Sequence, residues 1–315
     1  MIDFKKIKPH LIAFGIFLVI CLAYFPSVLG GYVLDAHDVS TWKGMSKEVI
    51  DHRESTGEEA LWSKRMFSGM PAYQFSTKSN GNLVRHIDTL LHLGLSSPIR
   101  MLFMYLIGFY ILLVTLKVDF KIAIIGSIAF AFSSYFFIIL QAGHMTKANA
   151  IGYIPLIVAS VLYTFSSRKV LLGALWTSLF VALQLYANHY QITYYTIILL
   201  FFIGIVHLIY AFRSGNLLDF FRRTGILLIA ALLAAGTNYT RLSTSLEYSP
   251  ETQRGTSELT NKEEDRKDGL SKVFEWYIGP YVYINRDRDN RTINCNLIYY
   301  RNIDPNYCRE EMTYM

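Results

Sequence analysis

Seven long apolar runs, at about 11–29, 100–116, 122–140, 150–166, 170–187, 190–212 and 224–240, leave this chain few ways to fold. Most approach the ~20 residues that a bilayer core requires. Lipid offers the backbone no hydrogen-bond partner, so each run is expected to be a helix. The expected fold class is an all-α multi-pass membrane protein with about seven transmembrane helices. Composition agrees. Only 17% of the 315 residues are charged and 52% are hydrophobic, where a soluble domain carries about a quarter charged residues. The net charge of +6 would suit nucleic acid, but the cations sit in short turns between apolar runs, which is a membrane pattern. No nucleic-acid partner is expected; the lipid bilayer is. Pro26 and Pro155 are expected to kink or end their helices.

Lysine and arginine set the orientation. Lys5, Lys6 and Lys8 precede the first run, and Lys117 and Lys121 bracket the second turn. Arg168 and Lys169 follow the fourth run; Arg213, Arg222 and Arg223 follow the sixth. All fall on one side if the N-terminus is cytoplasmic. The first run has no small-x-small cleavage site, so it is expected to stay as an uncleaved span. Cys21 lies within it, while Cys295 and Cys308 lie in the polar tail without a histidine pattern for zinc. The first outer loop, about 30–99, has two amphipathic stretches. Trp42, Met45, Val49 and Ile50 recur at helical spacing, as do Leu83, Ile87, Leu90 and Leu91. Both are expected to be helices lying in the interface. Gly69 and Pro71 mark a turn between them. The transmembrane module is drawn as 1–240, followed by an external polar segment at 241–280 and an irregular tail at 281–315.

Polar side chains collect where the chain turns on the outer face. Asp35, His37 and Asp38 follow the first run. Gln141, His144, Lys147 and Asn149 join the third and fourth. Asn188, His189 and Gln191 join the fifth and sixth. Ionisable groups at membrane depth are costly and mark functional sites. Blander roles stand beside this one: Asp35 or Asp38 as an N-cap, Lys147 snorkelling to headgroups, Asn188 and His189 satisfying helix ends. No GxGxxG, Walker, HExxH or GxSxG motif occurs. What the face offers is a carboxylate base and cations. A carboxylate can take a proton from an attacking hydroxyl. Cations can neutralise a phosphate leaving group.

Eight stretches together carry a family resemblance: Val33-Leu-Asp-Ala-His-Asp38, Trp42-Lys-Gly-Met45, Gly69-Met-Pro-Ala-Tyr-Gln74, Phe132-Ser-Ser-Tyr-Phe-Phe137, Ala142-Gly-His-Met-Thr-Lys-Ala148, Ala150-Ile-Gly-Tyr153, Ala187-Asn-His-Tyr-Gln-Ile-Thr-Tyr-Tyr195 and Arg254-Gly255. Over residues 1 to about 275 the chain resembles the YfhO-type bacterial membrane proteins, placed with the GT-C glycosyltransferases. The resemblance implies a GT-C-like helical bundle in the bacterial cytoplasmic membrane. It implies a polyprenyl-phosphate-linked sugar as donor and a cell-envelope glycopolymer or lipid as acceptor. Asp38 matches the catalytic acid, with Asp35 as its rival. His144, Lys147 and Arg254 would meet phosphate; Tyr73, Gln74, Asn188, His189 and Gln191 would meet sugar or acceptor. A divalent metal ion at Asp38 is compatible with this chemistry and not required by it. After about Trp276 the text departs from the family and reads like a truncated or frameshifted end.

Two other functions are weighed against the enzyme. A transporter or flippase would bind through the same side chains without chemistry, but would be expected to show repeats and broken helices near the midplane. A non-catalytic membrane protein is the third reading. The topology itself is testable. In a background with Cys21, Cys295 and Cys308 replaced by serine, an impermeant maleimide should label Glu58→Cys in intact cells. Ser214→Cys should react only after permeabilisation; the reverse labelling would invert the topology.

Overall fold

Apolar periodicity becomes helix almost throughout the computed structural model, which describes residues 4–34, 36–66, 68–76, 81–251, 284–286 and 293–295. Helix α1 (Phe4–Tyr24) breaks at Phe25, and α2 (Pro26–Leu29) starts with proline at its first position, where the missing N–H is no loss. The outer loop folds into α3 (His37–Thr56), a small hairpin of β1 (Trp62–Ser63) and β2 (Met70–Pro71), a 3₁₀ turn at Ala72–Gln74, and α4 (Val84–Leu91). The bundle follows: α5 (Ile99–Thr115), α6 (Phe120–Ala131), α7 (Ser134–Ala142), α8 (Met145–Ser166), α9 (Val170–Tyr186), α10 (Tyr190–Arg213) and α11 (Leu217–Thr237), then α12 (Tyr239–Tyr248).

The expected seven spans are not all matched by long helices. Among the described residues three helices are long and apolar enough to cross a membrane: α1, α8 and α10. A fourth counts if α6 and α7, bent by 44° at Phe132–Ser133, form one span. The 17-residue helices α5 and α9 fall short, since 1.5 Å per residue gives them about 25 Å against ~30 Å of hydrocarbon. Charges at Asp219, Arg222 and Arg223 open α11. Pro155 does not end its helix: α8 runs through it to Ser166. A proline inside such a helix is tolerated where neighbouring helices enclose it, and Pro155 is buried.

Packing divides the helices by role. α8 is enclosed, with Tyr153 and Ile157 fully buried, and packs most extensively on α9 and α5. α10 instead exposes Phe201, Phe202, Val206 and Phe212, as lipid contact would require. Some buried polar groups find partners between helices. Gln184 on α9 donates to Ala150 O and to Thr196 Oγ1, both at 3.0 Å. Thr177 Oγ1 donates to Ser160 Oγ at 3.0 Å. The chain forms two compact units, Met1–Ser245 and Leu246–Met315. In the second, a 3₁₀ turn at Ser249–Glu251 is described, and β3 (Ile284–Arg286) pairs antiparallel with β4 (Ile293–Cys295).

The α8–α9 contact relies on Gly173. A Cβ there would collide with Thr164 Oγ1 and come within 2.9 Å of Thr164 Cα. Gly173→Ala should therefore cost about 1–3 kcal/mol through overpacking. It should lower the melting temperature of the detergent-solubilised protein; an unchanged melt would show that the two helices can part freely.

Candidate functional site

The three polar turns meet at one end of the bundle. Gly143, between α7 and α8, adopts φ +91°, a left-handed conformation that glycine enters without steric cost. A Cβ at this position would lie 3.1 Å from both Ala36 Cβ and Asp38 Cβ. Glycine thus lets the α7–α8 turn press against the start of α3. The next residue, His144, then places Nδ1 2.8 Å from Asp38 Oδ2. The Nδ1–H donates to the carboxylate, which defines the tautomer and aims the ring. Asp38 is not the N-cap; that residue is Ala36. Asp38 lies in the first turn of α3, where the helix dipole favours a negative charge. Both side chains are about half exposed, at 47% and 49%, so the pair contributes at most about 1 kcal/mol to stability. Its effect is orientation.

Lys147, one turn along α8, holds its ammonium 5.3 Å from the centre of the Tyr135 ring. His189 begins α10, and its titration is held below the usual histidine range, first by burial and then by the charges of Lys147 and His144. It is therefore a neutral imidazole at neutral pH, and its Nε2 is buried without a partner among the described residues.

Beside this group lies a cavity of about 320 Å³. Two rings from the outer loop, Trp42 and Tyr73, face it with Tyr186 from α9. Trp42 Nε1 donates to Phe75 O at 2.8 Å, which holds the indole. The amides are Gln74, Asn149 and Asn188. Gln74 Nε2 donates to Thr244 O at 3.2 Å. Asn149 Oδ1 is buried and unpartnered among the described residues. Of the residues expected from sequence, Tyr73, Gln74 and Asn188 line this cavity, whereas Asp38, His144, Lys147 and His189 do not. Gln191 points elsewhere, donating to Tyr195 Oη at 2.8 Å on the exposed side of α10. Asp35 and Arg254 lie outside the described residues.

Two charged residues of the cavity escaped the sequence reading. Arg241 on α12 donates to Tyr186 O at 2.7 Å and stacks 4.6 Å from the Tyr186 ring centre. Its signal was an arginine just past the last apolar run. Asp88 on α4 is the other. Taken for the solvent side of an amphipathic helix, it instead faces the bundle, while Leu83 and Leu90 are exposed. Among the described residues no three histidine, cysteine, aspartate or glutamate side chains converge. Among the described residues Asp38 and His144 would offer a metal two donors. Comparison of the chain with protein-family models, with curated proteins and with solved structures gave no match.

The electrostatic link across the site can be measured. Lys147→Met removes a cation near His189, so the His189 midpoint should rise toward the ordinary histidine value in NMR of histidine-labelled protein. An unmoved midpoint would mean that the two turns do not share a field.

Proposed function

We propose that the chain is a membrane glycosyltransferase that moves a sugar from a polyprenyl-phosphate donor to a cell-envelope acceptor on the extracytoplasmic face. The observation that carries this reading is the Asp38–His144 pair at 2.8 Å beside a cavity of rings and amides. The resemblance to YfhO-type proteins, with its seven-span GT-C-like bundle, supports it from the sequence side.

In the proposed reaction Asp38 takes the proton of an acceptor hydroxyl as that oxygen attacks the anomeric carbon. The bond between the anomeric carbon and the phosphate oxygen breaks, and its electron pair leaves on the polyprenyl phosphate. His144 and Lys147 are the nearby groups suited to meet that charge. Asp35 stays the rival acid, and Arg254 a further expected phosphate contact. His189 and Gln191 are further expected contacts for sugar or acceptor; the neutral imidazole of His189 suits that role. The half-exposed carboxylate is open to a hydroxyl from solvent, as a polymer acceptor demands.

The test is transfer from a short-chain polyprenyl-phosphate sugar by the purified chain in detergent. Asp38→Asn should lower the rate about 10²–10⁴-fold, the range for losing a general base, while the protein still inserts into membranes. An undiminished rate removes Asp38 from the mechanism. A wild-type chain that carries lipid-linked sugar across proteoliposomes, with no transfer in detergent, would favour a flippase instead.

A further inference from the structure

The cavity contains one carboxylate among its described lining residues, and it is not Asp38. Asp88 is built into the fold. Its side chain is only 18% exposed, and the hydroxyl of fully buried Tyr153 donates to Oδ1 at 2.5 Å. His92 Nδ1 donates to the Asp88 backbone carbonyl at 2.7 Å and lies 3.4 Å from Oδ2. Burial pushes the Asp88 carboxyl up, but the contacts with His92 and Tyr153 and the charge of Arg100 outweigh it, and the group is held below the usual carboxylate range. It is an acceptor-only group of fixed direction at neutral pH. Two oxygens offer about four acceptor positions, and Tyr153 and His92 occupy only part of them.

The rest of the cavity indicates what Asp88 receives. Trp42, Tyr73 and Tyr186 give flat apolar faces. Gln74, Asn149 and Asn188 give amides that both donate and accept. The buried Asn149 Oδ1, unpartnered among the described residues, is a second acceptor awaiting a donor. A ligand that stacks on rings and donates to several fixed acceptors is a polyhydroxylated ring. The volume of about 320 Å³ lies at the low end of the ~300–1,000 Å³ of small-ligand sites, which suits one sugar unit. One acid and one guanidinium, Asp88 and Arg241, balance the lining charge.

We propose that Asp88 is the specificity-determining anchor of a subsite for a single uncharged monosaccharide unit, accepting a hydrogen bond from one ring hydroxyl. This deepens, and rests on, the reading of the chain as a sugar-handling protein. Asp88 is a positioning residue here, separate from the Asp38–His144 pair.

The experiment uses the full chain in detergent micelles with free glucose, galactose and N-acetylglucosamine, their monodeoxy analogues, and glucuronate. Binding is read by saturation-transfer NMR with competition. At least one neutral sugar should bind, glucuronate more weakly. Removing one particular hydroxyl should weaken binding roughly tenfold or more, as expected for a lost hydrogen bond to a charged group. In Asp88→Asn that preference should shrink below about threefold, whereas Gln74→Ala should weaken all analogues alike. Four results would overturn the proposal: no neutral sugar bound by the wild-type chain, no hydroxyl that matters, glucuronate bound as tightly as glucose, or the preference intact in Asp88→Asn. The deoxy series on the wild-type chain decides the matter if Asp88→Asn does not fold. Sugar binding without transfer would sink only the transferase reading. Transfer with an Asp88-independent sugar preference would sink only this one.

Discussion

A backbone in hydrocarbon must satisfy its own hydrogen bonds, so helices that line or cross a bilayer can hold chemistry only where they end or where they enclose it. This chain follows that constraint. Its enclosed helix, α8, is apolar through most of its length and carries Lys147 and Asn149 at its N-terminal end, preceded by His144. The same end gathers the start of α3 and the α9–α10 turn. A single glycine, Gly143, makes that convergence possible, because any Cβ would wedge the α7–α8 turn away from Ala36 and Asp38.

The two acids in this region are kept by different physics. Asp38 is half exposed, and a screened pair of this kind adds little stability. Its value lies in a defined direction next to open solvent. Asp88 is largely buried, and its desolvation is offset by His92, the Tyr153 hydroxyl and the charge of Arg100. An exposed carboxylate is open to proton exchange with an incoming hydroxyl; a largely buried one fixed by a hydroxyl donor suits holding a ligand in place. That division is what a site needs if chemistry and recognition are separate.

Helical periodicity made most of the bundle readable. The runs at 100–116, 170–187 and 190–212 lie within one residue of α5, α9 and α10 at each end. The break between α6 and α7 was not read, although Ser133 and Ser134 sit where serine pairs kink helices. Pro155 does not end α8, because enclosure by other helices, invisible to local rules, lets the helix continue. At the site, Asp38 and His144 stood out as polar groups in turns, but their contact depends on the left-handed Gly143, which no spacing rule encodes. Asp88 was missed for a physical reason. The inward face of α4 mixes apolar and polar groups, with Val84 and Leu91 packed on the core beside Asp88 and buried His92, while Leu83 and Leu90 are exposed, so the spacing of the leucines did not mark the buried side.

In the proposed reaction Asp38 and His144 act as one unit. A double-mutant cycle on transfer from a polyprenyl-phosphate sugar, with Asp38→Asn, His144→Gln and both together, tests it most directly. Strong non-additivity is expected, with the double variant no slower than the slower single variant. Two losses that simply multiply would contradict it, because each side chain would then act alone.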